Sequence, residues 1–106
     1  MSDPAGTAAS SGFEPGEDGS RWDFRGVLTF DNAEQVLELA SALPLPSGNV
    51  VDLSQLSTAD SSALAVLFAL KRRARSEHRA LRFQHPPANV SALARVYGVD
   101  ALLFQH

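Results

Sequence analysis

A chain of 106 residues with 44% hydrophobic side chains and a formal net charge of −3 describes one small domain with enough apolar matter for a single core. The mild acidity leaves no electrostatic footprint for nucleic acid, and the absence of cysteine excludes disulfides and thiolate metal sites and fits a reducing compartment. No basic stretch leads into an apolar one near the start, so no secretory signal is expected. The longest unbroken apolar run, Ala63 to Leu70, falls far short of the ~20 residues that a membrane-spanning helix needs. A cytoplasmic location is the expectation.

Met1 to Ser20 is rich in Ser, Gly, Ala, Pro, Asp and Glu and offers little to bury, so it is expected to be a flexible tail. Its end, at residues 12–14, suits a short edge strand, with Pro15 to Gly19 as a turn. The folded domain is expected over 21–106. Trp22 and Phe24 alternate with Arg21, Asp23 and Arg25 at the period of a half-buried strand. Gly26 marks a bulge or bend, and Val27 to Phe30 continues the extended run. Asp31 with Glu34 reads as an N-cap and capping box for a helix whose stripe is Ala33, Val36, Leu37, Ala40 and Leu43. Pro44, Pro46 and Gly48 end it.

Asn49 to Leu53 reads as a strand covered on both faces, followed by a polar loop. A helix from Ser61 to about Glu77 comes next, and Ala80 to Gln84 reads as the following strand, completing a parallel βαβ unit. Pro86 and Pro87 open a last helix with a stripe of Val90, Leu93, Ala94 and Tyr97, and Gly98 is its stop. Val99, Leu102, Leu103 and Phe104 are expected to pack back on the core, as are Trp22 and Tyr97. The fold class is α/β, a small mixed sheet with helices packed on it.

The chemistry-bearing segment is Asp60-Ser61-Ser62, at the carboxyl end of a strand and the start of a helix, where α/β folds place ligands and partners. One reading is capping alone, with Asp60 or Ser61 accepting hydrogen bonds from free first-turn N–H groups. The other is an exposed serine hydroxyl that meets a partner or accepts a phosphate, which the positive helix end tolerates. The histidines, His78, His85 and His106, lack metal-ligand spacing, and Ser61 lacks the flanking glycines of a nucleophile elbow. No phosphate-loop or dinucleotide fingerprint is present either, so no cofactor is expected. The basic run Lys71, Arg72, Arg73, Arg75, His78, Arg79 and Arg82 reads first as a solvated helix end and second as a contact for an acidic partner or anionic headgroups.

Val50-Val51-Asp52-Leu53-Ser54, then Asp60-Ser61-Ser62 running into Ala63-Leu64-Ala65-Val66-Leu67, resembles the signature of STAS domains over residues 21–104. Gly26 to Phe30, Leu81 to Phe83 before Pro86-Pro87, and Ala92 to Val99 with Leu102-Leu103 look most like the MlaB type, the STAS subunit of Mla phospholipid transporters. That resemblance implies a four- or five-stranded mixed sheet with three to four helices mostly on one side, and a non-catalytic role. It implies binding to the cytoplasmic ATPase subunit of an ABC transporter that maintains outer-membrane lipid asymmetry in Gram-negative bacteria. The chain would then be peripheral to the inner membrane through the complex, without inserting in it. The implied contact set is Thr58, Asp60, Ser61, Ser62 and Leu64. The alternative within the family is an anti-sigma-factor antagonist phosphorylated at Ser61. Those antagonists usually carry Gly where this chain has Ala63, whose β-carbon leaves less room for close backbone approach.

Overall fold

The computed structural model describes residues 11–104; the tail expected over Met1 to Ser10 lies outside them. The chain runs β1 (Gly12–Pro15), β2 (Arg21–Leu28), α1 (Ala33–Ser41), β3 (Val50–Ala59), α2 (Ser61–Ser76), β4 (Arg82–Gln84), α3 (Ala88–Val96) and α4 (Asp100–Phe104). Among the described residues the strands form one four-stranded sheet in the order β1-β2-β3-β4. β1 is antiparallel to β2, while β2–β3 and β3–β4 are parallel and joined through α1 and α2. The fold is the expected α/β mixed sheet, with two parallel crossover units in sequence.

Strand alternation sorts the side chains between two faces. Trp22, Phe24, Val51, Leu53 and Phe83 are buried and form the core with Leu67, Leu70, Val90 and Leu103 from the helices. Asp23, Asp52 and Gln84 are in register with one another across β2, β3 and β4 and share the opposite, polar face. The sheet begins at Gly12, where the end of the tail was expected to suit a short edge strand. Phe13 is the reason: it packs 5.6 Å from the Trp22 ring and edge-on to Phe24 at 4.9 Å.

Several local expectations change. Gly26 does mark a bulge, since the β2–β3 register shifts between Gly26 and Val27. Its φ is +101°, and a β-carbon there would lie 2.3 Å from the Ser11 hydroxyl, which accepts the Val27 N–H. Asp31 is not the N-cap of α1. Asn32 occupies that position, and its side chain closes the end of β2 by accepting from the Thr29 N–H and donating to the Val27 carbonyl. Residues 54–59, expected as a polar loop, continue β3, because buried Leu56 anchors the strand beside Gly26 and Thr58 pairs with Val27. β3 is also not covered by apolar packing on both faces: Asp52, on the outer face, is 8% exposed and hydrogen-bonded.

At the C-terminal end, Gly98 (φ +70°) closes α3 with Val99 N–H donating to Ala94 and Gly98 N–H to Arg95, the paired bonds of a Schellman motif. Tyr97, expected in the core, is 59% exposed, because the helix ends there and turns its ring outward. Leu102 is exposed too, and Leu103 takes the buried place on short α4.

Candidate functional site

Asp60 follows β3 in an extended conformation and caps α2. One carboxylate oxygen accepts the Ser62 N–H at 2.8 Å; the other accepts the Phe30 N–H at 2.9 Å, thirty residues away in sequence. A single carboxylate therefore ties the start of α2 to the β2–α1 loop. The Phe30 N–H bond holds the Asp60 carboxyl below its ordinary range; burial opposes it, and the Ser62 bonds add to the lowering. Capping is thus realised, and by Asp60 rather than Ser61.

Around this staple the surface is open. Thr58 and Ser61 are exposed, Ser62 is half-buried, and Ala65 one turn on is exposed. Leu64, expected in the contact set, is 5% exposed and belongs to the core; helical periodicity turns positions 63, 64 and 67 inward together. Ala63 is buried as well, so its β-carbon faces the core and does not crowd the outer surface. The residue that sequence reasoning missed is Phe30. It was expected to extend the strand, but β2 stops at Leu28 and the Phe30 side chain is 82% exposed next to the helix start. No local pattern could announce this, because Asp60, far along the chain, holds the loop.

Ser54 and His85 both bond to Asp52, the hydroxyl to Oδ1 at 2.6 Å and the imidazole Nδ1 to Oδ2 at 2.8 Å. A serine activated for attack must instead bond to the imidazole, so this trio builds no nucleophile. Burial works to raise the Asp52 pKa, but the bonds from Ser54 and His85 outweigh it and the carboxyl is held low. Among the described residues no group of three His, Cys, Asp or Glu side chains could hold a metal, and no helix is long and apolar enough to cross a membrane. His106 lies outside those residues.

The basic run divides by role. Arg73 caps the C-terminal end of α1, donating to the carbonyls of Ala40 and Leu43, and pairs with Glu77. Arg79 donates to Asn49 Oδ1 and the Pro46 carbonyl, bracing the loop before β3. Both are structural, not merely solvated.

A mixed sheet with parallel crossovers and a capped helix following β3 defines a small α/β domain. The family described as "Mlab, STAS domain" matches residues 18–104, and the chain belongs to it. STAS domains are in general non-catalytic. No curated protein matches. Among solved structures, one described as "Crystal Structure Analysis of Mglu" is similar over 82% of this chain, at 23% identity and a TM-score of 0.54. The matched region is 22% of that chain, so the likeness concerns the fold alone.

Proposed function

We infer that this chain is the STAS subunit that binds and stabilises or regulates the cytoplasmic ATPase of a Mla-type phospholipid ABC transporter, carrying out no reaction itself. The observation that supports this best is exposed Phe30, whose backbone N–H is held by Asp60, the residue before exposed Ser61. An exposed aromatic side chain on a tethered backbone, among polar neighbours, has the composition of a protein-docking hot spot, and the tether lowers the loop entropy to be lost on binding. The family description names Mlab, which supports the choice of a Mla-type transporter. The contact set becomes Phe30, Thr58, Ser61 and the edge of Ser62, with Asp60 as the positioning residue. The subunit would lie at the inner membrane only through the assembled transporter.

Co-purification with the ATPase subunit of the same transporter tests the reading. Phe30→Asp and Ser61→Asp each place a charge in the contact and are expected to reduce recovery of the ATPase at least tenfold, with transport falling in step. Retention of the ATPase by Phe30→Asp, Ser61→Asp and Ser61→Arg alike would move the interface elsewhere. The second reading, an anti-sigma-factor antagonist, draws on the exposed Ser61 hydroxyl at the positive end of α2. Stoichiometric phosphate on Ser61 after incubation with a kinase-type anti-sigma factor would favour it.

A further inference from the structure

The far end of α2 carries a second feature, which the docking face does not use. A groove of about 380 Å³ is lined by Lys71, Arg75, Arg79, Ala80, Leu81 and Arg82. Four of its six lining residues are cations and none is a carboxylate, on a protein of net charge −3. Lys71 and Arg75 stand one turn apart on the same helix face, an arrangement that repels and weakens the isolated helix. The helix dipole accounts for cations only in the last turn, which holds Arg73 and Arg75. It does not account for Lys71, a turn earlier, or for Arg82 on the edge strand.

Two of the four cations are held in place. Arg79 is fixed through Nε on Asn49 Oδ1 at 2.8 Å and through Nη2 on the Pro46 carbonyl. The Lys71 ammonium lies 6.0 Å from the centre of the Phe83 ring. Partial burial, and then the neighbouring Arg75 charge, push the Lys71 pKa down, as expected where positive charge gathers without a counter-ion. The groove floor includes buried Leu81. Convergent guanidinium and ammonium donors over a small concavity match the several oxygens of a phosphate better than a single carboxylate.

We propose that this groove is a binding site for a phosphoryl group, gripped by Lys71, Arg75, Arg79 and Arg82. Lys71 lies ten residues along α2 from Ser61, about 15 Å at the helical rise, so a ligand here leaves the docking face free. The phosphoryl group comes either from a soluble phosphate or from an anionic lipid headgroup. The site does not depend on the identity of the docking partner.

The purified chain alone is enough for the test, at about 150 mM salt to suppress diffuse attraction. Inorganic pyrophosphate is titrated by calorimetry and by amide NMR shifts, and vesicles of phosphatidylglycerol are compared with vesicles of phosphatidylcholine by co-sedimentation. Saturable pyrophosphate binding that shifts the Lys71–Arg82 amides identifies a soluble source. Retention on phosphatidylglycerol vesicles alone identifies a headgroup. In either case Lys71→Gln with Arg75→Gln, and separately Arg82→Gln, should weaken binding about tenfold, while Arg95→Gln, outside the groove, should stay within twofold. Circular dichroism checks that each variant is folded. Absence of binding in both arms, or equal weakening by Arg95→Gln, overturns the proposal.

Discussion

Asp60→Ala removes a side chain whose hydrogen bonds join α2 to the β2–α1 loop. Loss of the N-cap bond to Ser62 costs about 1 kcal/mol. The bond to the Phe30 N–H adds about 0.5–1 kcal/mol, at the lower part of the usual range because water reaches the freed donor. The total, about 1.5–2 kcal/mol, corresponds to a fall in Tm of about 6–16 °C for a domain of this size. Asp60→Asn keeps a good cap but has one carbonyl oxygen for two N–H donors, so it should lose about half as much. Urea unfolding followed by the fluorescence of Trp22, the sole and buried tryptophan, measures both. Hydrogen exchange adds a local reading: the Phe30 and Ser62 amides should exchange faster in the alanine variant. A loss below about 0.5 kcal/mol, or unchanged protection of the Phe30 amide, would refute the staple and with it the tethered backbone that carries Phe30.

Three further outcomes follow from the same structure. His78 holds φ +61° as the C′ residue of α2, where Arg79 N–H reaches Ala74 and His78 N–H reaches Arg75; His78→Gly should raise stability by about 0.5–1 kcal/mol in urea unfolding. Gly26→Ala should cost about 1–3 kcal/mol in the same assay, since it meets both a positive φ and the Ser11 side chain. Asp52 and Asp60 have depressed carboxyl pKa values in the fold, so their stabilisation is complete above the unfolded value of about 3.9 and is lost as pH falls through the folded ones. Stability measured between pH 6 and 2 should therefore drop below about pH 4, and Asp52→Asn should flatten that acid limb.

Patterns confined to one element were readable from the residues. The apolar block from Ala63 to Leu70 and the Asp-Ser-Ser before it place α2 to within a residue or two, and Gly98 stops α3 because only its backbone takes a positive φ at no cost. The misjudged positions share a cause. Asp31 and Asn32 are equally good caps by composition, and the choice fell to Asn32 because its amide also closes the end of β2. Tyr97 fits the α3 stripe, but the helix ends before its ring can reach the core. Arg73 and Arg79 look like solvated charge until carbonyls of α1 and of the Pro46 loop are brought beneath them.

Local propensity and hydrophobic period, which act within a turn or a strand, determined from the sequence the α/β class, the order of the strands and of α1 to α3, and the capped serine cluster, but not α4. Tertiary structure alone decided that β3 runs on to Ala59 and that Phe30 stands exposed beside the start of α2. The physical reason is reach. A hydrogen bond between Asp60 and a backbone amide thirty residues away leaves no trace in either segment, and it exists only once parallel pairing of β2 with β3 sets the two loops side by side.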